Sequence, residues 1–83
     1  MEKTLGMLKE KLQAAFKNTE IIVDDVTFEE KGKYHFLTVV LDKIGGIDLE
    51  TIVDATAVVN EVVDKENITD DSYILDVISK ERG

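Results

Sequence analysis

Apolar residues recur every three or four positions from Glu2 to Lys17, then at every second position further on. That change of period separates a helix from strands. Leu5, Leu8, Leu12, Ala15 and Phe16 fall on one helical stripe, with Lys9, Glu10, Lys11 and Lys17 mostly outside it. Met7 lies off the stripe and is expected to face water, and Asn18-Thr19 ends the helix. Ile22 to Glu29 reads as a strand, with Val26 and Phe28 on one face and Val23, Asp25 and Thr27 on the other. Glu30-Lys31-Gly32-Lys33 is a hairpin connection with glycine at its tip. Tyr34 to Leu41 is the second strand; Leu37, Val39 and Leu41 alternate with Phe36, Thr38 and Val40, so both of its faces carry apolar groups.

The second strand runs into Asp42-Lys43-Ile44-Gly45-Gly46 and the chain restarts as a helix at Ile47-Asp48-Leu49. Gly45 and Gly46 allow backbone angles that other residues resist, which permits an abrupt reversal. Asp48 is placed to accept the orphan N–H groups of the first turn as an N-cap, and Glu50 adds favourable charge there. The helix is expected over Asp48 to Asp64, with Leu49, Ile52, Val53, Val59 and Val63 on one face, broadened by Ala55, Val58 and Val62. Its many β-branched residues suit a strand, but a strand of that length is out of scale with so small a domain. After a polar loop, Lys65 to Ser72, a last strand runs from Tyr73 to Ser79, with Tyr73, Leu75 and Val77 opposite Ile74, Asp76 and Ile78. The order is α-β-β-α-β, an α+β domain in two layers with both helices on one face of a three-stranded sheet. The hairpin strands are antiparallel. The long return through the second helix lets the last strand pair beside either of them.

A chain of 83 residues makes one small domain, 1–83, and its 43% hydrophobic content suffices for a single core. It contains no cysteine, so neither disulfides nor a thiolate zinc site can staple it. Charges interrupt the first apolar positions and no later apolar run approaches a membrane span, so the expected location is cytoplasmic. The net charge of −8 is unevenly spread: between Asp42 and Asp76 two basic residues stand against ten acidic ones. That half repels phosphates and anionic membranes and attracts a basic protein.

Little in the chain suggests catalysis. The lone His35 sits in a strand without an acid or nucleophile spaced to form a triad, and reads as a structural or surface residue. Gly45-Gly46 lacks the glycine spacing or lysine of a phosphate cradle. Asp64, Glu66, Asn67, Asp70 and Asp71 cluster before the last strand, but Ile68 breaks the alternation of oxygen ligands and no central glycine is present. The expectation is a solvated loop, with no metal, cofactor or catalytic residues. Asn67-Ile68-Thr69 fits a glycosylation acceptor only by chance in a cytoplasmic chain.

The order and spacing of Val26-x-Phe28, Gly32, Leu37-x-Val39-x-Leu41-Asp42-Lys43, Gly45-Gly46-Ile47-x-Leu49 and Tyr73-x-Leu75-x-Val77-x-Ser79 resemble the N-terminal domain of the bacterial ribosome maturation factor RimP family. Family members continue through a proline-containing hinge into a small C-terminal β-barrel, whereas this chain reads Ile78-Ser79-Lys80-Glu81-Arg82-Gly83; that barrel is expected to be absent. The resemblance implies a non-enzymatic assembly factor of the small ribosomal subunit. It would bind the immature subunit and the basic ribosomal protein of the decoding centre, contacting RNA only within the assembly. The fold is also similar to KH domains, which leaves a KH-like RNA-binding domain as the alternative, although the Gly-x-x-Gly loop is missing. Two surfaces are the candidates for a partner: the helix-free sheet face with Val23, Phe36, Val40, Ile74 and Ile78, and an acidic steering surface of Glu50, Asp54 and Glu61.

Overall fold

The computed structural model describes residues 2–66 and 72–80. Helix α1 spans Glu2–Ala15, strand β1 Ile22–Lys31, strand β2 Tyr34–Asp42, helix α2 Leu49–Glu66 and strand β3 Ile74–Ser79. The three strands form one sheet in the order β1-β2-β3, with β1 antiparallel and β3 parallel to β2. A parallel neighbour requires a crossover of a dozen or more residues, and the 18 residues of α2 supply it. Both helices contribute to a core with the sheet, giving the two layers that the α-β-β-α-β order implies.

The core is organised around β2. Leu37, Val39 and Leu41 are fully buried, each at the centre of a cross-strand row. Phe28, Leu37 and Leu75 form one row and Val26, Val39 and Val77 the next. From above, Leu8, Leu12 and Phe16 close on these rows from the α1 side, and Ala55, Val59 and Val63 from α2. Met7 faces water, as its off-stripe position predicts.

The first helix stops two residues before Lys17, and Ala15 is exposed rather than part of the buried stripe. The cause is local. The Phe16 N–H is shared between the carbonyls of Leu12 and Gln13, both at 3.2 Å. The Thr19 hydroxyl donates to the Phe16 carbonyl at 2.7 Å and accepts from the Ile21 N–H at 3.1 Å. A side-chain hydroxyl thus replaces the next helical turn as partner for the terminal carbonyl. The hairpin is also tighter than expected. Lys31 pairs with Tyr34, leaving only Gly32 and Lys33 in the turn, with Gly32 at φ 63°.

Val23 corrects the expected alternation. Strict period two places it on the outer face with Asp25 and Thr27, yet it is only 3% exposed and lies in the core. The register shifts between Val23 and Asp25, so Val23 stands opposite Leu41 and Asp25 opposite Val40, with Asp24 as the extra residue of a β-bulge. Continued alternation from Val26 would have driven the Asp24 carboxylate into the apolar layer. Burying an unpaired charge costs far more than a local break in the ladder. In the bulge Asp24 stays at the surface, where Lys80 Nζ approaches its Oδ1 at 3.3 Å. The side chain of Gln13 secures the neighbouring backbone: its Oε1 accepts from the Val23 N–H at 2.8 Å and its Nε2 donates to the Ile21 carbonyl at 3.3 Å. Val23→Ala removes two buried carbons at about 0.8 kcal/mol each and leaves a small cavity, so a loss of about 2 kcal/mol is expected. Ile22→Ala, at a half-exposed neighbour, should cost clearly less. Urea midpoints of the two variants compare the positions directly, and equal losses would contradict the bulged register.

Candidate protein-interaction face

The sheet surface opposite the helices is built by the residues that alternate with the core rows. Pairing of β2 with both neighbours sets it out as Glu29–Phe36–Ile74, Thr27–Thr38–Asp76 and Asp25–Val40–Ile78. Ile74 and Ile78 are 45% and 41% exposed, while Phe36 and Val40 are half-buried beside them. The parallel β2–β3 register is what joins these four residues: Phe36 lies next to Ile74 and Val40 next to Ile78. Tyr34 extends the apolar area at one end, its ring 6.4 Å from that of Phe36, and Lys31 Nζ lies 6.0 Å from the Phe36 centroid. The carboxylates of Asp25 and Glu29 border the apolar group on the β1 side, and Asp76 interrupts it on β3. Val23 is not part of this face, because the bulge turns it inward.

The acidic surface belongs to α2. Glu50, Asp54 and Glu61 are exposed, and their spacings of four and seven set them on one stripe opposite the buried Ala55, Val59 and Val63. Glu61 shares its charge with Lys65, four residues on, at 3.9 Å. The expected apolar face of this helix needs a correction. Leu49 is 80% exposed and Val53 61% exposed, while the buried stripe runs through Ala55, Val59 and Val63 with Ile52, Val58 and Val62 at its margins. Leu49 and Val53 lie one turn apart on a flank that neither α1 nor the sheet covers, and Ile44 in the preceding turn is equally exposed. A helical face wide enough to include Val59 and Val63 also takes in Leu49 and Val53, which is why the sequence pattern places both in the core.

The joint between β2 and α2 is formed as the sequence predicts. Gly45 and Gly46 have φ of 90° and 91°, where a Cβ would be strained, and Gly46 N–H donates to the Lys43 carbonyl at 3.0 Å. Asp48 caps α2: its Oδ1 accepts from the Thr51 N–H at 2.8 Å, and its carbonyl accepts from the Ile52 N–H at 3.1 Å. Hydrogen bonding from Thr51, with a smaller effect from the Lys43 charge, holds the Asp48 carboxyl below its ordinary value. His35 stacks on Phe28 with centroids 5.5 Å apart, and its Nδ1 is out of water without a hydrogen-bond partner among the described residues. Its ring therefore serves the packing at the hairpin end of the sheet. The loop cluster Asn67, Asp70 and Asp71, like Asn67-Ile68-Thr69, lies outside the described residues. Among the described residues no helix is long and apolar enough to cross a membrane.

Residues 11–80, from within α1 to the end of β3, match the RimP N-terminal domain family. The chain belongs to that family. Its members are the N-terminal domains of ribosome maturation factors, which places this RimP N-terminal domain in ribosome maturation. The match takes in both glycine-bearing turns, the α2 cap, the sheet, the last turn of α1 and the buried stripe of α2.

The cap of this RimP N-terminal domain yields a pH test. A carboxyl held below its ordinary value in the fold stabilises the fold while it is ionised in both states. That contribution is present above the unfolded value near 3.9 and is lost as pH falls through the lower folded value. The thermal midpoint of the wild type should exceed that of Asp48→Asn at neutral pH, and the gap should close on acidification. Differential scanning calorimetry from pH 7 to pH 2.5 checks this; a gap constant over that range would show that the charge at Asp48 contributes nothing.

Proposed function

We propose that this RimP N-terminal domain assists assembly of the small ribosomal subunit as a binding module rather than an enzyme. It engages the immature subunit through a basic ribosomal protein, that of the decoding centre. The observation that carries this reading is the composition of the outer sheet face. Two apolar pairs, Phe36 with Ile74 and Val40 with Ile78, flank the Thr38–Asp76 row, and Asp25 and Glu29 lie beside them on β1. An apolar group of this kind suits contact with a protein, and the carboxylates favour one of positive charge. Membership of the RimP family supports the ribosomal context. The net charge of −8 points away from naked RNA, because binding the phosphate backbone is dominated by lysine and arginine. The work is done where ribosomes are assembled, in the cytoplasm.

The acidic stripe of α2 adds long-range attraction to this short-range contact. The Glu50→Lys, Asp54→Lys and Glu61→Lys triple variant moves the net charge from −8 to −2. Its association rate with the basic ribosomal protein at low salt should fall roughly tenfold, and the wild-type rate should itself fall as salt rises. Stopped-flow measurements at several salt concentrations test both, and an unchanged rate in the triple variant would remove the stripe from the process. At the sheet face, Ile74→Ser with Ile78→Ser should weaken binding roughly tenfold while shifting the thermal midpoint by only a few degrees, since both side chains are already part-exposed. Calorimetric titration reads the first quantity and a melting curve the second. Tight, salt-sensitive binding of the wild type to naked ribosomal RNA would instead favour the KH-like alternative.

A further inference from the structure

A second concave surface lies on the other side of the molecule, between the end of α1 and the first turns of α2. It encloses about 380 Å³, space for roughly a dozen waters at their share of liquid volume. Its walls are Ala15, Phe16 and Ile21 on one side and Ala55 and Val58 on the other. The gap exists because Ala15 and Ala55 are too small to fill the space between the helices at this end. One wall is rigid: the turn from Phe16 to Ile21 is held by the Thr19 hydroxyl and by the Gln13 bridge to Ile21 and Val23. The other wall is the first turns of α2, fixed by the Asp48 cap. A cleft between two hydrogen-bonded walls is already in its binding shape, which lowers the ordering cost for a ligand.

Charge at the rim decides what fits. Glu20 and Asp54 stand at the mouth, and neither forms an ion pair with another described residue. Lys43 lines the cleft as well, and its charge already acts on the capping carboxylate of Asp48. Thr19 and Thr51 also line the cleft. The arrangement is an apolar trough with surplus negative charge at its opening. Arginine has the matching chemistry: a three-carbon stem to lie along alanine, phenylalanine and valine, and a weakly hydrated planar cation with five donors for carboxylates and hydroxyls. An anionic or purely apolar group matches only half of the surface.

We propose that this cleft takes an arginine side chain of the domain's basic protein partner, with the guanidinium between Glu20 and Asp54 and the stem over Ala15 and Ala55. The proposal rests on the reading that the partner is basic, and adds a second point of contact on the face away from Phe36 and Ile74. Asp54 then both attracts the partner at a distance and pairs with it on arrival.

The test is titration of the ¹⁵N-labelled 83-residue chain with the peptide acetyl-(Arg-Ala)₃-amide, followed by two-dimensional NMR. Shift changes should concentrate at the amides of Ala15, Thr19, Ile21, Thr51, Ala55 and Val58. Glu20→Lys with Asp54→Lys should weaken binding at least tenfold. Ala15→Phe, an exposed position whose new ring fills the cleft without altering charge, should do the same. Acetyl-(Lys-Ala)₃-amide should bind several times more weakly than the arginine peptide. Shift changes spread along Glu29, Glu50 and Glu61 would overturn the proposal, as would unaltered binding by Ala15→Phe or equal shifts on adding oligouridylate. A parallel measurement of binding to the basic ribosomal protein separates the two readings. Wild-type affinity in the Ala15→Phe variant would sink the cleft and leave the assembly role standing. No binding by the wild type, with the peptide still seated in the cleft, would sink the assembly role and leave the arginine site.

Discussion

Leu37, Val39 and Leu41 on β2 lie at the one place in the domain where every other element meets. A chain of this size can surround only a few side chains completely, so the row that is completely surrounded fixes the orientation of its neighbours. β1 must present Phe28, Val26 and Val23 to it, and β3 must present Leu75 and Val77. Because strand side chains alternate, burying that row commits Phe36, Thr38 and Val40 to the opposite side. The outer face of the sheet is therefore a consequence of the core rather than an addition to it. A substitution that tilted β2 by one residue would exchange core and interface together.

The bulge at Asp24 shows how that constraint is met where the sequence would violate it. Three inward positions are needed on β1, and simple alternation would supply Phe28, Val26 and Asp24. Looping out one residue replaces the carboxylate with Val23 and leaves the rest of the ladder intact. The displaced Asp24 is then used at the surface. Lys80 donates its backbone N–H to the Leu41 carbonyl at 2.7 Å and reaches Asp24 with its ammonium group. Residues on either side of β2 are thereby linked across it at one end of the sheet. The ion pair itself is exposed and stabilises little; its effect is to hold Lys80 against the β1 side of the sheet.

The two layers divide the work. Helices cover one side of the sheet, with the acidic stripe of α2 on their outer surface, while the uncovered side carries the apolar residues of β2 and β3 beside Asp25, Glu29 and Asp76. Two contact surfaces on opposite sides would let the domain hold a flexible basic chain by clasping it rather than by one extended patch.

Local patterning along the chain sets the element order, both glycine turns, the Asp48 cap and the inward row of β2. Each of these depends on residues close together in the chain, through side-chain period, positive φ or a hydrogen bond across three residues. It also carried the spacing by which the RimP family is identified. Three things required the folded chain. The partner of β3 was one, because a long crossover can deliver a strand to either edge of a hairpin; only its pairing beside β2 brings Ile74 to Phe36 and Ile78 to Val40. The side of Val23 was another, because a bulge is favoured by the cost of burying Asp24, a cost set by what α1 places above that position. The last was which apolar residues of α2 are buried. Leu49 and Val53 fit the broad apolar face that the helical pattern allows, but the side of α2 that meets α1 and the sheet is set by packing between distant segments, and it leaves them in water.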